Sequence, residues 1–132
     1  MADWREAAER SAHIIFDASE KEADELDEVE RLVLGGLMFG VMNAEAAREK
    51  AVDISSVGRA LVGTLAQVLD LENRTAAEYV RFYTRCTQPD FHPVLHEIIL
   101  RGAQASRYID DAERVCELVQ STLQSSQRQQ CR

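Results

Sequence analysis

The sequence predicts an all-α fold, a single compact bundle of five or six helices with no sheet. Three observations predict it. There are only two prolines and six glycines in 132 residues, while residues that lose little on entering a helix, such as Ala, Leu, Glu and Arg, are abundant. Apolar residues recur at helical spacing along most of the chain, and no segment alternates cleanly enough to be a strand. Finally, the stretch from Glu20 to Asn43 begins as an acid run and becomes almost wholly apolar from Leu32 to Met42, the pattern of a helix that dives into a core. A chain of this length buries roughly two-thirds of its unfolded surface, enough for a core without metal or disulfide staples.

The elements follow in order. Asp3 to Ala18 reads as a first helix, with Trp4, Ala8, Ser11, Ile15 and Ala18 along its inner stripe. Ser19 and Glu22 have capping-box spacing, which places the turn into the central helix there. In that central helix Ala23, Leu26, Val29, Val33, Gly36 or Leu37, and Gly40 form one stripe, with the acids on the other faces. Its glycines let other helices approach the backbone, at about 1 kcal/mol each in helix propensity. Ala44 to Asp53 either extends this helix or forms a connecting turn. Asp53-Ile54-Ser55-Ser56 offers capping oxygens for a third helix carrying Val57, Leu61, Leu65 and Val68 inward.

Thr75-Ala76-Ala77-Glu78 reads as a capping box opening a fourth helix, with Ala76, Tyr79, Val80, Tyr83 and Cys86 inward. Gln88-Pro89 stops it, because proline lacks the amide and restrains the residue before it. Asp90 is placed to cap the next helix, Pro93 fits its first turn, and Val94, Leu95, Ile98 and Ile99 form its apolar face. Gly102 ends that helix or lies within it. Tyr108, Ala112, Val115, Val119 and Leu123 define a last helix. The domain is therefore read as residues 1–123, and the Gln- and Ser-rich residues 124–132, lacking apolar groups to bury, as a disordered polar tail.

Charge is distributed unevenly. Residues 1–53 hold fourteen acids and six bases, and residues 54–132 hold nine of each, so the whole net charge of -8 resides in the first part. Such acidity repels phosphate backbones and argues against nucleic-acid binding. It suits attraction to a basic protein surface, or serves solubility alone. The three cysteines, Cys86, Cys116 and Cys131, are too widely spaced for a zinc or redox motif and odd in number for a disulfide framework. Cys86 and Cys116 read as buried and Cys131 as exposed, which suits a reducing cytoplasm. The start of the chain lacks a signal-peptide core, and Leu32–Met42 is too short to span a bilayer, so no membrane role is expected.

Candidate chemistry is sparse. His92 and His96 lie four apart with Glu97 following, a spacing that can ligate metal. It is not a metalloprotease motif, and a third ligand would have to come from His13 or a distant acid. Cys86 lies near both histidines in sequence, but on an apolar face where a thiol stays protonated. Asp110 and Asp111 point about 100° apart on a helix and do not form a facing pair. The glycines of the central helix follow no strand and precede no phosphate-loop lysine. These readings give no enzyme, no cofactor and no metal. The turn Asp90-Phe91-His92-Pro93 presents Phe91 and His92 either as an aromatic anchor for a partner or as a hydrophobic staple under the next helix.

That turn, with Ile98-Ile99-Leu100-Arg101-Gly102 and the Leu37-Met38-Phe39-Gly40 segment, resembles the small all-helical immunity proteins of bacterial polymorphic toxin systems, in particular the immunity protein 48 family. The resemblance covers roughly residues 33–108 and leaves the acidic arm outside it. It implies a protein without enzymatic activity that binds a cognate toxin and blocks it. On that reading Glu22, Asp24, Glu25, Asp27, Glu28 and Glu30 form an outer face that steers onto a basic toxin, and Phe91 with His92 makes a second contact. The competing reading is a structural or regulatory helical module that forms a homodimer through its central or first helix.

Overall fold

A computed structural model describes residues 4–48 and 54–130. Among them the chain forms six α-helices and no strand: α1 (Trp4–Asp17), α2 (Glu28–Arg48), α3 (Ile54–Val68), α4 (Asn73–Cys86), α5 (Pro93–Ala105) and α6 (Ala112–Gln130). Two 3-10 turns, Ala23–Glu25 and Ser106–Tyr108, complete the described secondary structure. Asp53 and Cys131, for which a cap and an exposed thiol are expected, lie outside the described residues. No helix among the described residues is long and apolar enough to cross a membrane.

The apolar half of α2 is the hub that its composition predicts. Every residue from Val33 to Met42 is buried, and α1, α3, α4, α5 and α6 all pack against this helix. Its glycines mark the closest approaches. A Cβ on Gly40 would collide with the carbonyl oxygen of Ile99 and stand 2.9 Å from the Ala103 nitrogen. Across the same crossing, a Cβ on Gly102 would collide with the Leu37 carbonyl oxygen and lie 2.9 Å from the Leu37 Cα. Gly102 therefore sits inside α5, as a packing surface and not as a terminator. Gly35 makes room for the fully buried Tyr83, whose Oη donates to the Leu32 carbonyl at 2.6 Å.

These contacts also set direction. Gly36 meets Ile98, Gly40 meets Ala103, and Glu45 meets Ser106, so α2 and α5 run the same way and begin at the same end of the bundle. At its far end α2 carries a polar core. Glu45, 6% exposed, accepts from Ser106 Oγ at 2.9 Å and from Ser11 Oγ at 3.5 Å, with the Arg48 guanidinium 3.7 Å away. A buried carboxylate needs this full set of partners, because one left unpaired costs several kcal/mol.

Several boundaries differ from expectation. The central helix starts at Glu28, not near Glu20. Glu20 takes a left-handed φ of 62°, Glu22 and Glu25 close a reciprocal capping box around the 3-10 turn, and Leu26 is tucked into the core. Closely spaced like charges weaken a helix, whereas a capped turn uses carboxylates to satisfy backbone amides. Ser19, expected to open that capping box, instead donates to the Phe16 carbonyl at 2.6 Å and accepts from the Lys21 amide. Thr75 does not cap α4: the chain enters at Asn73 after a left-handed Asp70, so Thr75 falls within the first turn. Asp90 does not cap α5, because the His92 ring does so, its Nδ1 accepting from the Leu95 amide at 3.2 Å.

The last helix opens at Ala112, not Tyr108, where Asp111 Oδ1 accepts from the Arg114 amide at 3.2 Å. It continues through Gln130, past the expected boundary at 123, with Ser126 Oγ donating to the Thr122 carbonyl. Cys116 is half-buried and not part of the core, while Cys86 is fully buried.

Candidate functional site

The acidic residues singled out from sequence gather on the turn between α1 and α2. Glu22, Asp24, Glu25, Asp27 and Glu28 are exposed, and none makes an ion pair among the described residues. The local fold explains how so many carboxylates share one turn. Glu25 Oε1 accepts from the Glu22 amide at 2.9 Å, and Asp27 Oδ1 accepts from the Glu30 amide at 2.8 Å, so backbone donors offset part of their mutual repulsion. The positive end of the α2 dipole adds to this effect.

Glu30 does not belong to the outer face expected of it. It is 4% exposed, accepts from the Asp27 amide at 3.1 Å, and forms a charged hydrogen bond with Lys21. Its place on the helix turns it under the acidic loop, where its role is to fasten that loop to α2. The hydrogen bond to Glu30, helped by the charges of Glu30, Asp27 and Glu25 and opposed by burial, raises the Lys21 pKa above the ordinary 10.5. This contribution to stability is fully present below pH 10.5 and is lost as pH climbs through the raised folded value. The stability difference between the parent and a Lys21→Met variant is therefore expected to shrink in urea titrations carried above pH 10.5.

Phe91 and His92 form the second expected contact, and the structure assigns them different parts. Phe91 is 41% exposed, its ring lying 5.9 Å from Phe82 and under the Arg85 guanidinium at 4.4 Å. It is thus both a packed side chain and an exposed aromatic face. His92 is turned inward, capping α5 and meeting Phe82 edge-on at 6.0 Å. Because α2 and α5 begin at the same end of the bundle, the acidic turn and the Phe91 turn share that end. Val94, in the first turn of α5, is also exposed.

Sequence reading missed Phe82, Arg85 and Lys21 as parts of this end. Phe82 and Arg85 are three apart on α4 and so share an edge, which was legible. The return of Phe91 onto that edge depends on the path of the turn through Pro89, for which periodicity carries no signal.

The alternative chemistry finds no geometry to support it. Both histidine Nδ1 atoms are engaged, that of His92 in its cap and that of His96 donating to the Cys86 carbonyl at 3.0 Å. Among the described residues no three His, Cys, Asp or Glu side chains converge as a metal site. Burial, opposed by the Arg85 charge, pushes the Cys86 thiol above its ordinary pKa, which disfavours the thiolate a nucleophile needs.

No curated protein and no solved structure matches this chain. The family described as Immunity protein 48 matches residues 5–124, which takes in the acidic turn, the Phe91 turn and all but the last part of α6. A helical bundle with exposed charge at one end is consistent with that match, and the chain belongs to the Immunity protein 48 family.

Proposed function

We propose that this immunity protein neutralises a cognate toxin by docking and occlusion, without catalysis of its own, in the cytoplasm of the cell it protects. Glu22, Asp24, Glu25, Asp27 and Glu28 steer the protein onto a basic toxin surface, and Phe91 is the apolar anchor beside them. Carboxylates at a rim act mainly on the rate of encounter, while a desolvated aromatic acts on the lifetime of the complex. The observation that carries this reading is the set of exposed acids without ion-pair partners at the same end as an exposed phenylalanine. Glu30 and His92 support the surface from beneath as positioning residues.

The test uses the toxin against which the protein protects. A variant carrying Glu22→Lys, Asp24→Lys and Glu28→Lys is expected to associate roughly tenfold more slowly or worse, and to lose most of its salt dependence, with unchanged helical circular dichroism. An unaltered association rate, with full protection of cells, would reduce the acidic turn to a solubility feature.

A further inference from the structure

The docking end carries positive charge as well as negative. Arg81 and Arg85 are both exposed and stand one helical turn apart on α4. Neither forms an ion pair among the described residues, although the net charge is -8 and Asp90 follows closely in sequence. Arg74 and Arg101, by contrast, meet acids of their own helices, Glu78 at 3.9 Å and Glu97 at 3.8 Å. Like charges at this spacing weaken a helix, and no described carboxylate offsets that cost. We propose that Arg85, with Arg81 beside it, binds a carboxylate on the cognate toxin and thereby fixes which toxin, and which orientation of it, is accepted. The inference rests on the docking reading given above.

Arg85 is prepared for such a contact. Its guanidinium lies over the Phe91 ring, 4.4 Å from the centroid, and Phe82 braces that ring at 5.9 Å. A guanidinium held against an aromatic face has less freedom to lose on binding, and its edge keeps the paired donors that a carboxylate accepts. Phe91 is itself exposed, so a partner seated on the ring also reaches the guanidinium. A phosphate would suit the same fork of donors. Nucleic acid, however, brings many phosphates, which the five exposed carboxylates at this end repel, whereas a single acid on an otherwise basic protein is not turned away.

Selectivity follows from sign. The acidic turn attracts any basic surface and by itself sets no orientation. At Arg81 and Arg85 a uniformly basic surface meets like charge, and a toxin with an acid at the matching place does not.

The test uses the toxin against which the protein protects, in catalytically inactive form, and an oligolysine peptide as a uniformly basic probe. Arg85→Met keeps an apolar stem over Phe91 and is expected to shorten the lifetime of the toxin complex roughly tenfold, with the association rate changed about twofold or less. Exposed toxin acids are then changed singly to amides. One such change is expected to weaken the parent complex roughly tenfold and to have little further effect with Arg85→Met, a coupling that a mere shift of Phe91 would not produce. Arg81→Glu combined with Arg85→Glu is expected to bind oligolysine about threefold more tightly than the parent, or better. An unchanged lifetime with Arg85→Met, no toxin acid coupled to Arg85, or unchanged oligolysine affinity would each overturn the inference. The docking reading still stands in those cases if the triple lysine variant of the acidic turn slows association, and falls, taking this inference with it, if that variant associates as the parent does.

Discussion

Gly40→Ala and Gly102→Ala are each expected to lower the free energy of unfolding by about 2–4 kcal/mol, a large share of the 5–15 kcal/mol typical of a domain. In most helices the same substitution is mildly stabilising, because alanine restricts the unfolded chain and favours the helix. Here the added methyl group meets backbone on the opposing helix, Ile99 carbonyl and Ala103 nitrogen in one case and Leu37 carbonyl and Cα in the other. Backbone cannot rotate aside as a side chain can. The two helices must separate, and the contacts of Leu37, Ile98 and Ile99 loosen with them.

Gly58→Ala is the matched control. A Cβ there would meet nothing within 4 Å, so the usual gain of about 0.5–1 kcal/mol is expected. Urea unfolding of the three variants reads the difference directly. If all three shifted the midpoint in the same direction, the close crossing of α2 and α5 would be refuted.

Tyr83→Ala is expected to cost about 3–5 kcal/mol and Tyr83→Phe about 1–2 kcal/mol. The alanine variant empties the space beside Gly35 and Gly36 and removes ring packing on Phe39, at 5.5 Å, and on Tyr79 and Phe82. The phenylalanine variant keeps the ring and loses only the hydrogen bond to Leu32. A second readout separates the hydroxyl from the ring. Burial, with smaller contributions from Tyr79 and Cys86, raises the Tyr83 pKa well above the ordinary 10.0. Above pH 10.0 the unfolded chain releases this proton more readily than the folded one, so stability falls as pH rises. Tyr83→Phe removes that part of the slope. A phenylalanine variant with the parent's slope would place the phenol in a more solvated setting.

How much of this was legible in the sequence depends on what each feature obeys. The core of α2 was legible because an apolar run longer than a strand, studded with glycine, has few other uses in a helical chain. Ala76, Val80, Tyr83 and Cys86 followed from period alone, and all four are buried. The acidic arm was misread because Ala23, Leu26 and Val29 fit both a helical stripe and a turn with one tucked leucine. Helical period does not distinguish these, and the reciprocal caps that decide between them are pairings of side chain with backbone. The same limit hid the inward fate of Glu30, which depends on Lys21 reaching back to it. His92 overtook Asp90 as a cap because the turn after Pro89 is two residues longer than the capping rule assumed.

The common direction of α2 and α5 has a kinetic consequence. Two neighbouring helices that run the same way cannot be joined by a tight hairpin, so the chain must travel back along the bundle through α3 and α4 before α5 can settle on α2. The tight crossing of these two helices is thus made late in chain order, between partners far apart in sequence, and closing so large a loop carries an entropic delay. Until it closes, the apolar run of α2 lacks its main cover, and a newly synthesised chain passes through an interval in which its stickiest surface is open to chaperones or to other copies of itself.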